Sequence, residues 1–252
     1  MHYVEMMRAR RVLIGYGIAL LAIVAVTGLI VLAGSAHVHG DVNMGSAPTI
    51  LSSSIVAGSI FGALIVATLM IPGLNAEAAT TPIIWTRPTP RDTIAWRYVA
   101  IDFATIVVAF LGTIACVYIV LAILGLLKYA VFDPKTVTAT LLGLGGIVMW
   151  YGVVSVVVAR LPGRGPLLAG LSWAVFLIQA ALTVAPFPSV IHEIIVALNY
   201  LNPFAYLGSV NTANAHDPLV VQLPAAGRAV GAWLIGIAAT IASVRLWSTR
   251  EA

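Results

Sequence analysis

The sequence predicts an all-α, polytopic membrane protein with six transmembrane helices, and three observations carry that prediction. Of the 252 residues, 61% are hydrophobic and 9% are charged, and the mean hydropathy is +1.03. A soluble domain carries about 25% charged and about 45–50% apolar residues, so an ordinary water-soluble fold is excluded. The apolar residues gather into six charge-free stretches. Hydrocarbon offers a backbone amide no partner outside its own segment, so runs of this length are helices, and no alternating strand pattern competes with them. At roughly 20 residues per crossing the chain has room for roughly five to seven spans and for no separate soluble domain. A single transmembrane domain therefore accounts for residues 1–252.

The runs 12–34, 50–71, 103–127, 137–159 and 167–185 are each of spanning length. At about 1.5 Å per residue each crosses about 30 Å of hydrocarbon. The first follows Arg8, Arg10 and Arg11 and ends in Gly34-Ser35-Ala36, which imitates a secretory signal. It is longer than the usual apolar core of a signal, about 7–15 residues. The second contains Gly58 and Gly62 four positions apart, and Gly227 and Gly231 repeat that spacing near the last run; small residues so spaced allow helices to approach closely. The third contains Cys116, the only cysteine. That leaves neither a disulfide framework nor a cysteine metal site. The sixth run, 229–244, is too short to cross by itself. It reaches spanning length as 224–244 if Arg228 snorkels outward.

The formal charge of +4 could signal nucleic-acid binding, but the basic residues are scattered in ones to threes between the runs and read as topology signals. With the N-terminus inside, ten arginines (Arg8, Arg10, Arg11, Arg87, Arg91, Arg97, Arg160, Arg164, Arg245 and Arg250) are cytoplasmic, against Lys128, Lys135 and Arg228 outside. Both termini are then cytoplasmic, which requires an even number of spans. The expected location is the plasma membrane.

Two connections exceed what topology needs. The inner one, 72–102, holds Pro72, Pro82, Pro88 and Pro90 with Glu77, Trp85, Arg87, Arg91, Asp92, Trp96 and Arg97. The outer one, 186–227, is longer still. In it Val190, Ile191, Ile194, Ile195, Leu198 and Leu201 recur at helical spacing, with His192, Glu193 and Asn199 off the stripe. Asn202-Pro203 then breaks the helix. Pieces this short cannot span, so they are expected to be re-entrant or interfacial helices.

Chemistry is conspicuous by what is missing. A P-loop needs a lysine after glycine, whereas Lys128 and Lys135 follow Leu127 and Pro134. Ion-coupled carriers place acids at the bilayer midplane, and all nine carboxylates here fall in loops or at span ends. Asp102 comes nearest, and its simplest role is an interfacial carboxylate near Arg97. Zinc-hydrolase spacing fails after His192-Glu193, and no G-x-S-x-G is present. His37, His39, His192 and His216 lie on the expected outer face beside Asp41, Glu193 and Asp217. Three or four of these could share a zinc or copper ion if they converge.

The segment Glu77-Ala-Ala-Thr-Thr-Pro-Ile-Ile-Trp85-Thr-Arg87-Pro88-Thr-Pro-Arg91 resembles the loop after the second span in permease subunits of ABC type-2 exporters. Glu77 matches that family's acid, Thr81 its threonine, Trp85 the bulky apolar position, and Pro88 with Arg91 its Pro-x-x-Arg; Thr80 stands where glycine is usual and Pro82 is atypical. The resemblance implies a cytoplasmic coupling helix between spans 2 and 3, seated in a groove of a separate ATPase subunit. Glu77, Thr81, Trp85, Arg87, Pro88 and Arg91 would lie at or near that contact. It also implies that residues 2–11 form a short amphipathic helix on the inner surface.

On that resemblance the chain is a non-catalytic permease subunit of an ATP-driven exporter, paired with a second copy of itself or a homologous permease. It carries no cofactor of its own; ATP and Mg²⁺ belong to the ABC ATPase partner. The lack of intramembrane charge favours a lipid-like, peptide or hydrophobic drug substrate. Two other classes are compatible with the residues: a structural or assembly membrane protein without transport, and a metal-handling protein using the outer histidines.

Overall fold

A computed structural model of the chain describes residues 2–35, 47–71, 90–123, 134–161, 164–206, 221 and 223–249. Among these the fold is helical throughout: α1 (His2–Ser35), α2 (Ala47–Met70), α3 (Arg91–Ile123), α4 (Pro134–Arg160), α5 (Gly165–Leu182), α6 (Ser189–Asn199), a 3-10 turn (Pro203–Ala205) and α7 (Ala225–Ser248). Four of them, α3, α4, α5 and α7, are long and apolar enough to cross a membrane. The first two apolar runs lie in α1 and α2, which extend for 34 and 24 residues.

Prolines mark the helix starts. Pro134 opens α4, Pro166 stands in the first turn of α5, and Pro90, Pro188 and Pro224 immediately precede α3, α6 and α7. A proline there sacrifices no hydrogen bond, because the first amides of a helix have no intrahelical acceptor. Buried threonines are satisfied just as locally. The hydroxyls of Thr105, Thr113 and Thr240 donate to the carbonyls of Ile101, Ala109 and Gly236, one turn back, so none needs water.

α4 is the central helix: 72% of its most apolar window is buried, against 17–33% for α3, α5 and α7. Its closest neighbour is α7, and glycine sets the approach. A Cβ on Gly152 would stand 2.5 Å from the Gly236 carbonyl oxygen, and one on Gly236 would stand 2.7 Å from the Met149 amide nitrogen. Gly145 leaves room for the Trp233 indole, whose N–H donates to the Leu141 carbonyl at 3.1 Å. The glycine pairs with four-residue spacing serve otherwise. Gly58 faces open space, Gly62 receives the Tyr16 side chain of the same protein, and Gly231 lies against Tyr206.

Three expectations change. Residues 91–102 belong to α3 rather than to a loop, because Ile94, Ala95, Tyr98 and Val99 form a helical stripe packed on Val244 and Trp247 of α7. α1 runs unbroken from His2 to Ser35, so residues 2–11 extend the first long helix instead of forming a separate one. Arg228 does not snorkel to the exterior; it is 1% exposed, inside α7.

Large apolar side chains face outward. Leu167, Leu171, Val175, Ile178 and Leu182 make an exposed stripe along α5. On α6 the apolar face, Val190, Ile191, Ile194 and Leu198, is exposed while Asn199 is buried. Soluble helices bury the apolar side, and these exposed apolar stripes are what an apolar surrounding medium accommodates.

Candidate functional site

A salt bridge lies inside the helix bundle. Asp102, in the twelfth position of α3, is 1% exposed, and its Oδ1 accepts from the Arg8 guanidinium of α1 at 2.8 Å. The same Arg8 nitrogen donates to the Met70 carbonyl at the end of α2, 2.9 Å away. On the other side of the carboxylate the Tyr151 hydroxyl of α4 donates to Oδ2 at 2.7 Å. The Phe103 ring packs at 5.1 Å on that of Tyr151. Three helices therefore meet at one carboxylate, and Arg8 brings in the end of α2. A carboxylate beside a core that includes Ala67, Met70, Ile106 and Val154 needs such partners, because an ion without them suffers several kcal/mol of desolvation, of order 3–5 when a buried pair is broken.

The position of this cluster gives it leverage. The segment from 72 to 89 leaves α2 just beyond Met70 and returns into α3 at Arg91. Arg8 holds the Met70 carbonyl at the end of the departing stem and Asp102 about three turns into the returning one, so the two stems are linked through one side chain. Further along, the Tyr16 hydroxyl bonds that of Thr113 at 2.7 Å. Thr113 already donates to Ala109, which makes Tyr16 the donor and adds a second polar link between α1 and α3.

A second polar arrangement fixes the turn after α6. The Asn202 side chain donates to the Phe176 carbonyl of α5 at 2.9 Å and accepts from the Phe204 amide at 3.0 Å. Phe204 then packs on Trp173 and Phe176, with ring centroids 5.8 and 6.3 Å apart, and Trp173 continues to Trp150 at 5.9 Å. Phe176 and Trp173 stand well before Leu182, the end of α5, so the turn reaches roughly two turns or more down that helix. The Trp173 indole N–H donates to Thr68 of α2 at 3.1 Å, bringing α2 into the same assembly. The Tyr206 hydroxyl donates to the Tyr200 carbonyl at 2.9 Å. Burial, reinforced by nearby Tyr200, pushes the Tyr206 phenol above its ordinary pKa.

Of the residues expected at an ATPase contact, Glu77, Thr81, Trp85, Arg87 and Pro88 lie outside the described residues, and Arg91 is the half-buried first residue of α3. Of the histidines considered for metal, His37, His39 and His216 lie outside the described residues, and His192 is half-buried on α6 beside exposed Glu193. Among the described residues no three His, Cys, Asp or Glu side chains converge. Asp102 pairs with Arg8 and not with Arg97, which is exposed on another face of α3. Comparison with protein-family models, curated proteins and solved structures finds no match to this chain.

Proposed function

We propose that the chain is the transmembrane permease subunit of an ATP-driven ABC exporter, moving an amphipathic or hydrophobic substrate across the plasma membrane with energy from a separate ATPase subunit. α1, α2, α3, α4, α5 and α7 are its six spans. Both termini and the 72–89 connection are cytoplasmic, and α6 with its 3-10 turn is a re-entrant element on the outer side. Two such chains, identical or homologous, form the transport unit, with the substrate between them.

The observation that carries this reading is the double tie made by Arg8, to Met70 on one stem of the cytoplasmic connection and Asp102 on the other. A loop driven by an ATPase delivers force only if its stems move as one body. Here the stems are joined to each other, to α1 through Arg8 and to α4 through Tyr151. The loop motif from Glu77 to Arg91 supplies the family resemblance, and the missing P-loop explains why energy must come from a partner.

The test is co-purification in mild detergent. The wild type should retain a Walker-motif ATPase with vanadate-sensitive hydrolysis, and Glu77→Lys combined with Arg91→Glu should lose most of that partner while remaining inserted. Recovery of the wild type without any ATPase would overturn the exporter reading; unchanged recovery with the double variant would overturn the placement of the contact.

A further inference from the structure

We propose that the groove between α3 and α7 is a binding site for one anionic membrane phospholipid, with an acyl chain lying in the groove and the headgroup phosphate held by Arg245. The groove has a volume of about 290 Å³ and is lined by Trp96, Val99, Ala100 and Phe103 of α3 and by Ile237 and Ile241 of α7. Thr240 also lines it, but its hydroxyl is occupied by the Gly236 carbonyl at 2.8 Å. The lining is almost wholly apolar.

Size and length narrow the occupant. Sites for drug-sized molecules run from about 300 to 1,000 Å³, and this groove falls at the bottom of that range. From Trp96 to Phe103 it extends about 10 Å along α3, within the roughly 15 Å of one leaflet. A single hydrocarbon chain fits both limits.

Charge selects the headgroup. Below the groove α3 and α7 close on each other through Ile94, Ala95, Tyr98 and Val99 against Val244 and Trp247. Arg245 follows Ile237 and Ile241 at four-residue intervals on the same face of α7 and is exposed at this closed end. Arg97 is exposed at the same level of α3, and Arg91 stands nearly two turns earlier. Asp92 is the carboxylate these two helices place among them. Three arginines against one acid favour an anionic headgroup, and Trp96, 45% exposed, suits the headgroup boundary. The inner-leaflet location rests on the orientation proposed above; the groove and its arginine do not depend on an ATPase partner.

The experiment uses the full chain in phosphatidylcholine vesicles containing a small fraction of lipid with brominated acyl chains, which quench nearby tryptophan. The Trp96 signal is the difference between the wild type and Trp96→Phe. Brominated phosphatidylglycerol should quench it with about fivefold higher apparent affinity than brominated phosphatidylcholine. Arg245→Gln should abolish that preference, and Arg245→Lys should keep most of it. Ala100→Leu, which fills the groove, should reduce quenching by both lipids. Equal quenching by the two lipids in the wild type would overturn the site, and so would an undiminished preference in Arg245→Gln. Both lipids are present in both leaflets and no ATPase is needed, so failure here leaves the exporter reading standing.

Discussion

The Arg8, Asp102 and Tyr151 cluster makes a prediction that separates a polar tie from ordinary packing. Arg8→Leu removes the bonds to Met70 and Asp102 and leaves the carboxylate, 1% exposed, without its arginine. Breaking a buried pair costs about 3–5 kcal/mol. Because the Arg8 side chain is 29% exposed, its charge is partly solvated already, and the expected cost is about 2–3 kcal/mol. At ~2–4 °C per kcal/mol for a chain of this size, the melting midpoint should fall by about 4–12 °C. Asp102→Leu should also destabilise, since it leaves Arg8 and the Tyr151 hydroxyl without the carboxylate.

Removing all three polar groups should cost less than removing one. In Arg8→Leu/Asp102→Leu/Tyr151→Phe none of the three groups leaves another of the three stranded, and apolar replacement of a buried ion pair is close to neutral or stabilising. The triple variant is expected within about 1 kcal/mol of the wild type. Thermal unfolding in detergent micelles, followed by tryptophan fluorescence, gives all the values from one assay. A triple variant that loses the sum of the single losses would refute the reasoning, for the three residues would then act as independent packing elements. On the exporter reading proposed above, a folded triple variant should lose about tenfold in ATP-driven transport, the direction expected when the stems of the 72–89 connection are untied.

Two further outcomes follow from the packing and the orientation. Gly152→Ala should lower stability by about 1–3 kcal/mol, because its Cβ would meet the Gly236 carbonyl at 2.5 Å, whereas Gly58→Ala, with nothing within 4 Å, should be neutral or stabilising by up to ~1 kcal/mol; micelle melting curves compare the two. In a Cys116→Ser background, Ser189→Cys should react with an impermeant maleimide on intact cells and Thr93→Cys only after permeabilisation, and labelling in the reverse order would invert the assigned topology.

Much of the helix framework was legible because hydrocarbon imposes a length. The apolar runs 137–159 and 167–185 fall within or close to Pro134–Arg160 and Gly165–Leu182, since a membrane-spanning segment announces itself by composition alone. The early start of α3 was obscured by its charges: Arg91, Asp92 and Arg97 follow a proline-rich stretch and read as a loop. The contrary signal was present, because Ile94, Ala95, Tyr98 and Val99 recur with helical period up to Asp102. The site itself was much harder to see. Arg8 and Asp102 are separated by 94 positions, and Asp102 and Tyr151 by 49, so no local spacing points to their meeting. Asp102 stands out in sequence as the acid nearest a span, but its nearest arginine in sequence, Arg97, faces another way. A partner on another helix could be inferred only after the helices were placed. Asn202 was legible as a helix breaker; its bond to Phe176 was not, for the same reason.

On the orientation proposed above, the direction of the polar groups in α6 and its turn bears on how the outer side is built. A surface helix in water would bury Ile191 and Leu198 and expose Asn199; here Asn199 and Asn202 are inside and the apolar stripe is outside. Asn202 then does locally what water does elsewhere, as it satisfies both a carbonyl of α5 and an amide of its own turn. Such a turn can sit well down the helix without leaving backbone groups bare, the condition hydrocarbon sets for any irregular segment. The turn packs on α4 and α7 as well as α5, and Trp173 of α5 continues to Thr68 of α2, close to the carbonyl held by Arg8. Thr68 and Met70 both lie in the last turn of α2, so the turn after α6 and the Arg8 tie are linked to the same end of that helix. On the exporter reading proposed above, a displacement of this end of α2 would strain the Trp173 to Thr68 bond, so α2 is the helix expected to pass motion from the Arg8 tie to the turn after α6.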